Sequence, residues 1–330
     1  MGFRAVTIRE FRGIRRMDAL RLRKFNVIIG RNNTGKTAIL ETLFLFAVPF
    51  SSYRIPWYPK SRIEMIANFH SGVESLIWLF WCAEIAYDIE AATRTLSITF
   101  ILNTYASVNV RVNGKEMSSD EYLSELTSSL NLSRDSLFTY SFYLAPHTSF
   151  INELHEFLCK DYVWNAIVRL GANTWLVRGF VNKAVRDRFT EVLLGPKKRL
   201  MLRKELSDGN VMYINVADLG DGIERTLLVA LALEYLSPKL VLIDDIEQSA
   251  HLGLLKAFIE WLANKDWQVI LTTHSIDVLS ALVELDVEDF QLIALNKNPD
   301  DVVTFRMYEL SELEDALASG IDLRKMLDLV

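Results

Sequence analysis

Two kinds of periodicity divide the chain: two-residue alternation and short apolar runs predict strands, and recurrences at three and four residues predict helices. Residues 1–24 alternate, with Phe3, Ala5 and Thr7 set against Arg4, Val6 and Ile8, followed by Phe11 and Ile14. The run Val27-Ile28-Ile29 is short and β-branched enough to be a buried strand, and Ile39, Leu40, Leu43 and Phe44 recur behind it at helical spacing. Pro49 to Pro59 reads as a loop carrying Tyr53, Trp57 and Tyr58, and residues 62–83 have apolar helical spacing. Segments 94–103 and 107–112 predict strands, with Asn113-Gly114 as a hairpin turn into Lys115. Helix is expected from Ser119 to Leu132, strand from Ser136 to Tyr143, and helices over 149–195.

The second half has the same grammar. Residues 199–206 and 210–216 flank Ser207-Asp-Gly209 as a hairpin, with a basic rim from Lys197-Lys198-Arg199 and Arg203-Lys204. Gly220-Asp221-Gly222 opens an apolar helix through Leu227, Leu228, Leu231 and Leu233. Strands follow at 239–245, 268–275, 290–295 and 302–308, with a helix over 251–264. Ser311 to Glu314 suits a capping box for a last helix toward Val330. No internal repeat and no sustained heptad occurs.

Chemistry enters between the first buried strand and the first helix. Gly30-Arg31-Asn32-Asn33-Thr34-Gly35-Lys36-Thr37 fits G-x-x-x-x-G-K-[ST] in the strand–loop–helix context that gives the match a mechanism. Backbone N–H groups and a helix N-terminus would cradle phosphates. Lys36 would reach the β- and γ-phosphates, and the Thr37 hydroxyl would sit on Mg²⁺. A glycine-punctuated turn that merely contains Lys-Thr is the bland alternative, and the flanking pattern argues against it.

Leu240 to Ile243 is an apolar strand ending in Asp244-Asp245. There Asp244 can hold Mg²⁺ and Asp245 can orient or deprotonate a water, unless one or both only cap the next helix. The strand from Gln268 ends in His274, a residue type more often structural when it stands alone. In open α/β sheets ligands lie beyond the carboxyl ends of strands, so Lys36, Asp244 and His274 are expected to converge on one γ-phosphate.

Composition narrows the surroundings. The net charge of −6 excludes a general polyanion binder, although eight basic residues crowd into the first 24. That hairpin could contact nucleic-acid phosphates, but a solvated face of an edge sheet is the preferred reading. Cys82 and Cys159 stand apart from any metal-like spacing and read as free thiols in a reducing cytoplasm. The N-terminus is arginine-rich without an apolar core, and the run Leu76 to Ala83 falls short of the ~20 residues that span a bilayer, so no membrane is expected.

With these motifs in hand the chain resembles the ABC-type ATPase heads of the SMC/RecF/OLD group, especially OLD-like AAA-type ATPases. Ile8 to Ile14 resembles the N-terminal strand motif, Gly30 to Thr37 Walker A, and Leu219 to Arg225 the signature. Leu240 to Asp245 resembles Walker B, and Thr272 to Ser275 the switch histidine; together they bracket nearly the whole chain in the family's order. The resemblance implies an α/β P-loop NTPase of ABC type, with a mixed central sheet, an N-terminal antiparallel β lobe and a helical insertion. It would be one head over 1–330, with 1–48 and 196–330 as nucleotide-binding core and 49–195 as the inserted lobe. It also implies ATP and Mg²⁺ as cofactors, and a homodimer formed on ATP. In that dimer Gly220, Asp221 and Gly222 of one subunit close on the partner's γ-phosphate. Arg12 and Asn32 fall where relatives contact nucleotide, and Ser249-Ala250-His251 where they carry the D-loop.

Three departures follow. Asp245 replaces the usual catalytic Glu, which implies slow hydrolysis. Asn33 stands where many relatives have Gly, and Asn is the next residue best suited to positive φ. No glutamine precedes Gln248, so the Q-loop ligand is missing or replaced.

The leading expectation is an ATPase of DNA maintenance, repair or anti-phage defence, with DNA a candidate partner. The alternative is a regulatory subunit gating a partner nuclease or effector, since 330 residues leave no room for the TOPRIM domain that follows this head in OLD proteins. Trp78 and Trp81 are its candidate docking patch, with core packing preferred. A transporter ATPase is disfavoured by the loose signature and absent Q-loop glutamine. A GTPase is disfavoured because Asn296 to Asp300 imitates a base-reading motif poorly.

Overall fold

The N-terminal alternation folds as β1 (Phe3–Phe11) and β2 (Ile14–Arg21), an antiparallel hairpin turned at Arg12-Gly13. A register shift between Val6 and Ile8 puts both of these inside, which strict alternation does not foresee. The computed structural model describes residues 2–70, 82–91, 95–103, 107–146, 148–185, 187–248 and 251–323.

Strand β3 (Phe25–Gly30) is buried throughout and runs into α1 (Lys36–Leu45), where every residue but Thr37 is buried. A helix so enclosed has no polar face to show. Helix α2 (Arg62–Asn68) starts from a capping box between Ser61 and Glu64. Of the helix expected over 62–83, residues 71–81 lie outside the described residues and the end is corrected: Cys82 opens β4 (Cys82–Glu90), where Ala83, Ile85, Tyr87 and Ile89 face in while Glu84, Asp88 and Glu90 face out. Trp78 and Trp81 lie outside the described residues.

β5 (Thr95–Asn103), β6 (Val108–Val112) and β7 (Lys115–Met117) continue as a meander, with Asn113 and Gly114 at φ 50° and 82° in the tight turn. After α3 (Ser119–Leu130) the expected strand over 136–143 shortens. Ser133 caps α4 (Arg134–Phe138), leaving β8 (Ser141–Leu144).

Helices α5 (Thr148–Leu158), α6 (Asp161–Arg169), α7 (Ala172–Leu176) and α8 (Asn182–Val185) occupy most of 149–195, with a π-helical turn at Val177–Val181. The stretch ends not in helix but in β9 (Phe189–Leu194). That strand pairs with β10 (Leu200–Glu205), which pairs with β11 (Val211–Asn215), and this non-local partner overrides the local pattern. Cys159 is a buried free thiol.

Helix α9 (Asp221–Leu236), β12 (Leu240–Ile243), α10 (Leu252–Ala263) and β13 (Gln268–Thr272) follow as expected. Helix α11 (Ile276–Glu284) is an element that the pattern reading missed. β14 (Phe290–Lys297) and β15 (Val302–Tyr308) precede α12 (Leu310–Ala318). The last helix is capped two residues earlier than Ser311-Glu314 suggests: the Glu309 N–H donates to Glu312 at 2.8 Å.

Among the described residues twelve strands form one sheet in the order β7-β6-β5-β4-β1-β2-β15-β14-β3-β13-β12-β8. The flank from β7 to β2 is antiparallel, and β14, β3, β13, β12 and β8 run parallel. The expected boundaries at 48/49 and 195/196 cut through these sheets. Strands β4–β7 extend the N-terminal hairpin, β8 pairs with β12 in the parallel half, and β9 joins β10. Arg62 ties the end of α1 to α4 and β8 from a fully buried position, donating to the Phe44, Phe46, Leu137 and Phe138 carbonyls and the Ser141 hydroxyl. Desolvation lowers its pKa to about 9, so it stays charged at neutral pH. No helix among the described residues is long and apolar enough to cross a membrane.

Candidate nucleotide-binding site

Strands β3, β12 and β13 are parallel neighbours, so their C-terminal ends at Gly30, Ile243 and Thr272 emerge on one side. The loop after Gly30 curls through two left-handed residues, Asn33 (φ 67°) and Gly35 (φ 97°). A side chain at Gly35 would also come within 2.7 Å of Ile14, so only glycine fits there. Gly30 packs as tightly, since a Cβ there would meet the Thr34 hydroxyl at 2.5 Å. Thr34 in turn donates to the Arg31 carbonyl at 2.9 Å. Helix α1 begins at Lys36 without a side-chain cap, so its first N–H groups are left to point at an anion.

Lys36 is buried, and its ammonium donates to the carbonyls of Gly30 (2.9 Å) and Arg31 (3.2 Å). Burial lowers its pKa, against the opposing pull of Asp245, Asp244 and Glu247. Thr37 donates to Asp244 at 2.7 Å, and Thr272 donates to the other Asp244 oxygen at 2.7 Å. The Tyr143 hydroxyl approaches the same carboxylate at 3.5 Å. Asp244 is 2% exposed, and burial raises its pKa although the two threonine bonds pull the other way.

Asp245 (φ 50°) is half-buried, and its N–H donates to the Thr272 hydroxyl at 2.8 Å. His274 Nε2 stands 3.9 Å from an Asp245 carboxylate oxygen. Glu247 fixes that loop: one oxygen accepts the His274 N–H at 2.6 Å and the other the Thr273 hydroxyl at 2.8 Å.

These groups surround an open cavity of 340 Å³, and Lys36, Thr37, Asp245, His274, Asn32 and Arg12 are all in its wall with Asn33 and Gly35. Asp244 lies just behind Thr37, and Gly30 and Thr34 shape the loop from behind. Gly220, Asp221 and Gly222, at the start of α9, are not in the wall. Ser249 and Ala250 lie outside the described residues, and His251 caps α10. Sequence reasoning passed over Glu247, Thr272, Tyr143, Glu41 and His70. Only Glu247, the third carboxylate in Asp244-Asp245-Ile246-Glu247, carried a signal.

Residues 1–167 match the family model of the AAA ATPase domain. The chain belongs to that family. Residues 123–280 also match a model described as "AAA domain, putative AbiEii toxin, Type IV TA system". The ATPase has the fold of solved SMC heads. The Smc head domain with an extended coiled coil, bound to the C-terminal domain of ScpA and derived from Pyrococcus furiosus, superposes with TM-score 0.62. It shares 13% identity over 97% of this chain and 99% of that one. The SMC head domain from Thermotoga maritima gives TM-score 0.54 at 13% identity, over 94% and 100%. A stretch of 130 residues is 26% identical to Uncharacterized protein MJECL10 of Methanocaldococcus jannaschii, covering 38% of this chain and 54% of that protein. The match thus spans about half of that relative's length. Family and fold together make the protein a P-loop ATPase of the AAA family with the fold of SMC head domains.

Proposed function

We propose that the ATPase binds and hydrolyses ATP with Mg²⁺, dimerises on the nucleotide, and uses that closure in DNA repair, maintenance or defence. The observation that carries this reading is the single cavity shared by Lys36, Thr37, Asp245 and His274, with Asp244 bonded to Thr37 behind it. Lys36 would leave its loop carbonyls for the β- and γ-phosphates, to which a buried ammonium is a strong partner. Thr37 and Asp244 offer hard oxygen donors that fit Mg²⁺, and the raised pKa of Asp244 marks a buried charge suited to a cation. Bound there, the ion would offset phosphate charge. Asp245 would hold the attacking water and take its proton, and His274 would face the terminal phosphate. Glu247 and Thr272 would keep those two groups in place. Gly220, Asp221 and Gly222 head the long helix α9 and are not in the wall of this cavity; they would complete a partner subunit's site.

A second reading, a nucleotide-gated subunit of a partner nuclease or effector, is favoured by the heads of this fold that were solved bound to domains of ScpA. Both readings share one test: ATPase rate and oligomeric state, with and without DNA. Wild type should hydrolyse ATP slowly, Asp245→Asn should accumulate as an ATP-bound dimer, and Lys36→Met should bind no ATP. DNA that changes neither rate nor assembly would favour the second reading. A wild-type protein that binds no ATP would remove both.

A further inference from the structure

Arg12 lies in the turn between β1 and β2 with φ 52°, and its guanidinium reaches back to helix α1. Glu41, one helical turn beyond Thr37, is 0% exposed and accepts a hydrogen bond from one guanidinium nitrogen. The second guanidinium nitrogen lies 3.2 Å from Nδ1 of His70, just after α2. His70 Nε2 lies 2.7 Å from the other Glu41 oxygen. A guanidinium has donors only, so Nδ1 must accept. His70 is therefore the neutral Nε2–H tautomer and donates to Glu41. The three side chains close a ring in which every donor meets an acceptor.

That ring holds a cation at the edge of the phosphate-loop cavity, for Arg12 shares its wall with Lys36 and Thr37. Two of the guanidinium's five N–H groups are spent on Glu41 and His70, which leaves three outside the ring. The Arg12 side chain keeps 21% of its surface exposed, whereas that of Glu41 keeps 1%. A buried carboxylate that serves only packing is costly, and an apolar residue would fill the same space more cheaply.

We propose that Glu41 and His70 are positioning residues that preorganise Arg12 as a contact for the nucleotide's phosphates. The proposal rests on the reading of this cavity as the nucleotide site. An arginine already fixed in place loses less side-chain entropy on meeting phosphate, so the ring acts on affinity more than on turnover.

The test compares His70→Leu, which deletes both ring bonds, with His70→Gln, whose amide supplies one donor and one acceptor. KM and kcat for Mg·ATP hydrolysis are measured together with the Tm of the nucleotide-free protein. His70→Leu should raise KM about tenfold, the equivalent of ~1.4 kcal/mol, with kcat within about twofold of wild type. His70→Gln should recover most of that loss. Arg12→Ala should raise KM at least as much, and His70→Leu added to it should have little further effect, since the two act as one unit. A His70→Leu protein with lowered Tm and unchanged KM would overturn the proposal, as would additive effects in the double variant. Wild type that fails to bind ATP would overturn the nucleotide reading itself, and is told apart by the unsubstituted protein alone.

Discussion

Asp244 is where burial and function pull in opposite directions, and replacing it by asparagine separates them. The carboxylate is 2% exposed and is held by two threonine hydroxyls at 2.7 Å each. Asparagine has the same shape; one hydroxyl keeps donating to its oxygen, and the other turns to accept from its amide. The bonds survive while the buried charge goes. Relief of such a functional charge is worth about 1–2 kcal/mol, or roughly 1.5–3 °C in Tm for a chain of this length. Mg·ATP at about 100 times its Kd adds ~2.7 kcal/mol, or roughly 4 °C, to wild type. The variant, lacking the anionic oxygen proposed for the ion, should gain less than about 1 °C. Calorimetric melts with and without Mg·ATP should therefore reverse in rank. The sign of the pH dependence follows from the raised pKa of Asp244. Between the ordinary value of 3.8 and the raised one, the native state binds the proton more tightly, so wild type loses stability as pH rises through that window. The variant has no such loss, and its lead at pH 7 should vanish as pH falls toward 3.8. An Asp244→Asn protein that melts lower at pH 7 without nucleotide, or gains as much from Mg·ATP as wild type, would refute this account.

Two further substitutions test the scaffold. Gly35→Ala combines a left-handed φ of 97° with a methyl 2.7 Å from Ile14, and should cost about 2–4 kcal/mol in urea unfolding and most nucleotide affinity. Wild-type stability in that variant would show that the loop does not need its left-handed turn. Arg62→Met keeps much of the buried stem but strands the Phe44, Phe46, Leu137 and Phe138 carbonyls. It should cost about 3–5 kcal/mol, a Tm drop of roughly 4–7 °C, and a drop under about 1 °C would contradict the structural role given to Arg62.

Local chemistry made much of the site legible. The phosphate loop, the carboxylate pair after β12 and the histidine after β13 are each written in a few consecutive residues, because strand, turn and helix start are short-range preferences. The positive φ of Asn33 belongs to the same class. What reading along the chain missed was non-local. β9 looked helical until β10 paired with it, and residues between 49 and 195 turned out to serve three different sheet neighbours. Glu41 gave no sign of function because its partners come from a turn 29 residues before it and a helix end 29 residues after it. Thr272, unremarkable in a strand, became a bridge between Asp244 and Asp245 only when β12 and β13 lay side by side. The amino-acid sequence by itself determined which groups are available and the local shapes that carry them, since each needs only its neighbours in the chain. The tertiary structure alone decided which of them meet, because hydrogen bonds between strands and burial in one core depend on pairings that no local preference encodes.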